Sequence, residues 1–136
     1  MRIAMNADLN FVRERIDPYR AYADEADRHD SDMRVRAYVG NALTQAQAPL
    51  GEALDATTRG LLETVLMKCM FTDQAFIRKF EHGPLDEPTV AALVRSDRNL
   101  LDSADRARSA DAGSMAGILH EIDREFEARR SPEPVA

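Results

Sequence analysis

The sequence predicts an all-α fold, an up-and-down bundle of four or five helices. Apolar residues recur at three- and four-residue spacing along most of the chain, as on the buried face of a helix. Sustained alternation of Val, Ile, Thr and aromatic residues is absent, and so are Asn-Gly and Asp-Gly hairpin turns. Short breaks between amphipathic segments favour antiparallel neighbours. We expect one domain over residues 1–130 and a short disordered C-terminal tail over 131–136.

The first helix is expected from about Asp8 to Arg28. Pro18 interrupts this segment, and Asp17-Pro18 has the form of an N-cap followed by a first helical position. A kink or a restart is therefore expected there. The residues predicted to face inward are Leu9, Val12, Ile16, Tyr19, Ala23 and Ala26.

The second helix is expected from a Ser31 N-cap to about Gln47, after a break at His29-Asp30-Ser31-Asp32. Its predicted inner face consists of Val35, Tyr38, Val39, Ala42, Leu43 and Ala46. The Pro and Gly residues of the segment 48–51 predict a loop.

The third helix is expected to run unbroken from near Asp55 to Glu81 and to end at His82-Gly83-Pro84. Residues 61–71 form the most hydrophobic stretch of the chain. We therefore expect this helix at the centre of the bundle.

The fourth helix is expected from Asp86 to about Arg108, and Ser114 is expected to cap a fifth. The predicted inner face of the fourth consists of Val90, Leu93, Val94, Leu100, Leu101 and Ala104. That of the fifth consists of Met115, Ile118, Leu119, Ile122 and Phe126.

The composition disfavours several classes of partner and location. Among 136 residues, 24 Asp and Glu outweigh 18 Lys and Arg, which gives a net charge of −6 and argues against a nucleic-acid surface. A single cysteine, Cys69, allows no internal disulfide. The first residues lack the apolar stretch of a signal peptide, and no window is apolar enough to span a membrane. We expect a cytoplasmic protein, and its preference for Arg over Lys suggests a bacterial source with a GC-rich genome.

Motifs of common enzyme classes are missing. The chain contains no Gly-x-Gly-x-x-Gly, no P-loop, no Gly-x-Ser-x-Gly and no His-Glu-x-x-His. It also lacks the Glu-x-x-His pairs of di-iron bundles. We predict no cofactor, no metal site and no catalytic residue, and we favour a function other than catalysis.

Two carboxylates, Asp73 and Asp97, fall inside predicted apolar stripes on adjacent helices. A buried carboxylate without a partner costs several kcal/mol, so each requires a partner or a cavity. One interpretation pairs each with an Arg or a Tyr hydroxyl, or lets it reach solvent; the candidate partners are Arg15, Tyr19, Tyr22 and Tyr38. The other is a cavity for a cation or an amine, lined by Asp73, Asp97, Cys69 and Tyr38.

Met67 and Phe71 lie on the opposite, more polar side of the third helix. They are either covered by another helix or exposed as a patch that binds a partner. Cys69 and Met70 are expected to fill the core.

Three functions follow from these features. The first is binding to another protein or to a second copy, as an adaptor, an immunity or anti-regulator protein, or a chaperone. The second is binding or turnover of a small ligand at Asp73 and Asp97. The third is a helix-turn-helix regulator that reads DNA with Arg95, Arg98, Arg106 and Arg108, disfavoured by the acidic residues interleaved with them.

Overall fold

The structure, a computed structural model, describes residues 2–71 and 85–129, with the backbone alone for 2–5 and 25. These ranges contain five α-helices and no strand: α1 (Arg2–Arg13), α2 (Glu25–Leu50), α3 (Ala56–Met70), α4 (Glu87–Arg108) and α5 (Ala112–Arg129). The all-α prediction is confirmed, and the helix packing is compatible with a bundle. The predicted tail at 131–136 lies outside the described residues.

Helix α4 lies at the centre of the described bundle. It packs against α1, α2 and α5, whereas α3 packs mainly against α2 and α5. The expectation that the third helix is central is therefore wrong. The cause lies in the buried side chains, because α4 buries nine residues across about half of its circumference while α3 buries one narrower stripe. That stripe consists of Thr58, Leu62, Val65 and Cys69.

The segment predicted as one helix over 8–28 is divided. Helix α1 ends at Arg13, and the chain then turns until Asp24, whose side chain caps α2 by accepting a hydrogen bond from Asp27 N. The peptide bond between Asp17 and Pro18 is cis. The predicted interruption near Pro18 is present, but it extends over residues 14–24, and this connection buries four hydrophobic residues: Ile16, Tyr19, Ala21 and Tyr22.

Helix α2 begins earlier than the sequence predicts. Residues 29–32 lie inside the helix, so the expected break and the Ser31 cap are wrong. The Asp24 cap starts the helix about two turns before Ser31, whose side chain instead donates to Asp27 Oδ2 at 3.1 Å. The predicted inner face is confirmed, with Tyr38 partly buried and the other members buried.

Helix α3 begins as predicted and ends early. The Asp55 side chain accepts a hydrogen bond from Thr58 N at 2.7 Å. Phe71 has extended backbone, with φ −116° and ψ 139°, and its N–H donates to the carbonyl of Met67. An unbroken helix to Glu81 is therefore wrong at Phe71. Residues 72–81 of that prediction lie outside the described ranges.

Helix α4 starts where the sequence predicts, after an Asp86 N-cap whose side chain accepts from Thr89 N at 2.9 Å. Helix α5 starts at Ala112, and Asp111 takes the capping role expected of Ser114, because its carboxylate accepts from Ser114 N at 2.9 Å. All five residues predicted to face inward from α5 are buried.

Candidate functional site

Asp97 lies in the middle of α4 and is completely buried. Its Oδ2 accepts hydrogen bonds from the hydroxyl of Tyr19 at 2.5 Å and from that of Tyr22 at 2.7 Å. Its Oδ1 lies 3.0 Å from Nη1 of Arg129 at the end of α5. Both tyrosines were candidate partners from the sequence. Both carboxylate oxygens thus contact protein groups, which favours the structural interpretation over a ligand cavity.

Arg129 connects this carboxylate to a second one. Its Nη2 donates to Tyr22 Oη at 2.6 Å and lies 3.1 Å from Oδ1 of Asp32 in α2. Oδ2 of Asp32 accepts a hydrogen bond from Arg36 Nε at 2.8 Å. Asp32, Arg36, Asp97 and Arg129, which we call the charge core, are each at most 2% exposed. Two acids and two guanidinium groups balance to zero, which avoids the large cost of an unpaired buried charge.

Burial sets the protonation of these groups. It raises the pKa of Asp97 to about 6, and Arg129 with the hydroxyls of Tyr19 and Tyr22 opposes that rise. Burial also raises the pKa of both tyrosines, so they remain protonated donors. For Arg129, burial alone would lower the pKa, but Tyr22, Asp97 and Asp32 hold it above its usual value. At neutral pH Asp97 and Arg129 are therefore ionised.

The connection between α1 and α2 is held in a costly backbone conformation beside the charge core. Ala21 and Tyr22 have φ of 55° and 62°, in the left-handed region that non-glycine residues rarely occupy. The Tyr22 hydroxyl is fixed by Asp97 and Arg129, and the N–H of Ala23 donates to Asp27 at 2.8 Å. These contacts stabilise a conformation that the local sequence does not favour.

The other ligand-binding candidates lie elsewhere. Tyr38 donates a hydrogen bond to Oδ1 of Asp105 at 2.6 Å, and Arg15 donates to the other oxygen of Asp105 at 2.6 Å. Cys69 is buried against Gly40, and burial raises the pKa of its thiol to about 12. Asp73 lies outside the described residues. The contacts of Asp97, Tyr38 and Cys69 do not bring these three into one site, and their role in binding a ligand stays a prediction.

The sequence interpretation missed three of the four charge-core residues. Asp32 and Arg36 share the inward spacing of Val39, and Arg129 follows Phe126 at three residues. The same helical projection that singled out Asp97 could have found them. The assumed Ser31 cap concealed the first two, because it placed Asp32 at a helix terminus.

A cluster of exposed apolar side chains marks the C-terminal end of α3. Met67 is 59% exposed, Met70 69% and Phe71 62%, and these are the exposed large hydrophobic residues of the described ranges. We call this cluster the α3 patch. Exposure of Met67 and Phe71 was one of the two alternatives predicted for them. The expectation that Met70 fills the core is wrong, because the buried stripe of α3 passes through Cys69 and leaves Met70 to the side.

Two other helices contact Lys68, which lies between the residues of the α3 patch in the sequence. Arg36 of the charge core donates a hydrogen bond to the carbonyl of Lys68, one of the last carbonyls of α3, which lack intrahelical partners. The amine of Lys68 contacts Asp123 at 2.5 Å and Glu127 at 2.7 Å, both on α5. The end of α3 is thereby attached to α2 and α5.

Of the four arginines of α4, three contact acidic side chains and Arg108 lies over the ring of Tyr38. Asp8, itself 2% exposed, binds Arg98 at 2.7 Å and lies 3.3 Å from Arg95. Arg106 contacts Asp102 at 3.2 Å and Glu121 at 2.5 Å. These pairs neutralise charge that a DNA reader would direct at phosphate.

A polar surface groove of about 340 Å³ lies between α4 and α5. Its lining consists of Asn99, Asp102, Ser103, Arg106, Glu121, Arg124, Glu125 and Ala128. The ion pair between Arg106 and Glu121 crosses this groove, and Arg106 also pairs with Asp102 of its own helix, so the opposite charges of the groove are partly satisfied within the protein.

Within residues 2–71 and 85–129, no group of three or more His, Cys, Asp or Glu side chains is arranged to hold a metal ion. None of the helices there combines the length and apolar character needed to cross a membrane. Comparison of the chain with protein-family models, curated proteins and solved structures found no match.

Proposed function

We propose that this protein works by binding another protein through the α3 patch. The observation that carries the proposal is the exposure of Met67, Met70 and Phe71 together at one helix end. Apolar side chains that are exposed singly are normal, whereas a contiguous cluster is typical of a binding surface. Methionine adapts its shape to a partner, and aromatic residues contribute much of the energy of interfaces.

The support beneath the patch favours recognition over simple disorder of a helix end. The Lys68 carbonyl is bonded to Arg36, and the Lys68 amine to Asp123 and Glu127. Because this end of α3 is already ordered, binding a partner there costs less conformational entropy than binding at a flexible segment would.

The surroundings of the patch are acidic. Asp123 and Glu127 outnumber the one cation, Lys68, that they contact, and the whole chain carries a net charge of −6. Such an acidic rim favours partners that have a basic surface, while the apolar side chains supply affinity. These features fit an adaptor, an immunity or anti-regulator protein, or a chaperone of the bacterial cytoplasm.

Capture from a lysate of the source cells, with matched variants as bait, tests the proposal. The first variant, Met67→Lys with Phe71→Lys, introduces two charges into the patch. The control, Ala37→Lys with Asn41→Lys, adds the same charges at exposed positions of α2. We expect a protein that the wild type and the control retain and the patch variant loses.

Methionine oxidation provides a second readout on the same samples. The captured partner should protect Met67 and Met70, while Met115, only 1% exposed, reacts slowly throughout. Identical captured sets for all three baits, with no protection of the two methionines, would refute the proposal.

A further inference from the structure

One border of the α3 patch is a carboxylate on the same face of the helix. Glu63 is exposed and precedes Met67 and Met70 by about one and about two helical turns. At about 100° per residue the three positions fall within an arc of roughly 60°. All three lie inside α3, which ends at Met70. A segment that covers the two methionines along the helix axis therefore meets the charge of Glu63.

The second border of the patch is formed by α5. The Lys68 amine lies 2.5 Å from Asp123 and 2.7 Å from Glu127, whose side chains are 30% and 47% exposed. One ammonium group shared by two carboxylates leaves an excess of negative charge beside the apolar residues. Together with Glu63, these side chains place three acids against one base around the patch.

The shape of the patch favours a helix as the segment that binds it. The backbone groups along α3 are bonded within the helix, and the described residues contain no strand whose edge could pair with an extended peptide. An extended peptide laid over Met67 and Met70 would therefore cover its own backbone polar groups without giving them partners. A helix satisfies those groups internally and presents side chains at spacings of three and four residues, which match the spacing of the patch.

Charge selects among such helices. Lys or Arg beside the apolar stripe of a partner helix would face the acids at both borders of the patch. The methylene groups of these long side chains would also cover apolar surface. An acidic helix would be repelled, and so would a second copy of this chain, because its net charge is −6. Methionine adapts to different apolar shapes, so the arrangement of charge has more influence on the choice of partner.

From these observations we infer that the α3 patch binds a basic amphipathic helix of its partner. The apolar side chains of that helix lie on the patch, and its Lys or Arg residues face Glu63 and the two carboxylates of α5. The inference rests on the proposed function, since it names the class of partner for the same surface. Contact over about two turns buries less than the roughly 1,200 Å² of a standard interface, so we expect a dissociation constant on the order of 10–100 µM.

Binding of three fluorescent peptides to the full chain, measured by anisotropy, tests the inference. Each has about 18 residues, enough for some helix content. The first carries Leu at helical spacing along one face and Lys beside it. The second has Glu in place of every Lys, and the third keeps Lys but has Gln in place of every Leu. We expect the first peptide to bind at least about tenfold more tightly than either of the others.

Substitutions in the protein locate the bound peptide, after circular dichroism has confirmed that each variant folds. Glu63→Lys should weaken binding of the Leu–Lys peptide about fivefold and strengthen binding of the Leu–Glu peptide relative to the wild type. Met67→Lys should weaken the Leu–Lys peptide at least about tenfold. Glu14→Lys, which adds the same charge at a side chain 74% exposed and distant in sequence from the patch, should change it less than about twofold.

The outcomes separate this inference from the proposed function. In capture from the lysate, Glu63→Lys as bait should lose the same protein that the patch variant loses, and Glu14→Lys should retain it. Capture that only the patch variant loses would overturn the inference and leave the proposed function standing. Equal binding of all three peptides, or equal effects of the substitutions at Glu63 and Glu14, would also overturn it. Retention of every captured protein by the patch variant would count against the proposed function itself.

Discussion

At the scale of single residues, Arg129 makes the contacts with the largest consequences. Its guanidinium lies within 3.1 Å of both buried acids and donates to the Tyr22 hydroxyl. Removing it would leave Asp97 with two hydroxyl donors and no cation, and Asp32 with Arg36 alone. The cost of an uncompensated buried charge exceeds the energy of any single hydrogen bond here.

We therefore expect Arg129→Met to lower the free energy of unfolding by about 3–5 kcal/mol. Arg124→Met, on the exposed side of the same helix, should change it by less than about 0.5 kcal/mol. Urea unfolding of the two variants measures the difference. Equal effects would show that the charge core does not stabilise the fold.

Asp97 also gives the stability a specific dependence on pH. Its pKa is raised to about 6 in the folded protein, chiefly by burial, from an ordinary value of 3.8. The folded state therefore binds a proton more tightly than the unfolded state, and its stability increases as the pH falls through this window. Between neutral pH and about pH 5 the wild type should gain roughly 1 kcal/mol relative to Asp97→Asn.

Unfolding of both proteins in urea at each pH measures this difference, and the comparison with Asp97→Asn cancels the titration of all other groups. Carboxyls such as Asp105 act on the stability in the other direction. Burial raises the pKa of Asp105, but the hydrogen bonds from Tyr38 and Arg15 outweigh that effect and lower it. A gap between the two proteins that stays constant with pH would contradict the raised pKa.

At the scale of helices, one glycine lies where two helices approach closely and another lies on an open helix surface. A Cβ atom at Gly40 of α2 would lie 3.3 Å from Cβ of Cys69 on α3, whereas Gly117 of α5 has nothing within 4 Å. Gly40 thus permits the close approach of α2 and α3. Gly117 only weakens its helix, because glycine loses more backbone entropy than alanine on folding.

We expect Gly40→Val to lower the stability by about 1–3 kcal/mol through overpacking. Gly117→Ala should raise it by about 0.5–1 kcal/mol. Thermal unfolding at low protein concentration measures both changes. A stable Gly40→Val variant would mean that Cys69 can move away without loss of packing.

The sequence predicted the helices well where capping and periodicity agreed, as at Asp86 and Arg108 of α4. It failed where a competing cap was possible, because Asp24 and Ser31 are equally good candidates by residue type. It also failed at Phe71, since neither a glycine nor a proline marks that end of α3. Hydrophobicity suggested a central third helix, but exposure of the α3 patch depends on which helices surround it, and that is a tertiary property.

At the scale of the whole molecule, the charge core and its two tyrosines join four segments of the chain. Tyr19 and Tyr22 come from the connection after α1, Asp97 from α4 and Arg129 from α5, while Asp32 and Arg36 come from α2. The charge pairing was not predictable in full, because periodicity shows which residues face inward and does not show which of them meet.

We therefore expect one cooperative unfolding transition. The chain has no Trp, so tyrosine fluorescence reports mainly on the buried Tyr19 and Tyr22, and far-ultraviolet circular dichroism reports on all helices. The two urea curves should coincide, as they do in two-state unfolding. An earlier fluorescence transition would mean that the connection after α1 opens on its own.

Arg129 is translated after the other three residues of the charge core. A nascent chain that has not yet emerged from the ribosome as far as Arg129 holds Asp32 and Asp97 against a single guanidinium, Arg36. Burial of both acids is unfavourable until the last turn of α5 is available to neutralise them. The earlier helices are therefore expected to complete their packing only after α5 has been translated.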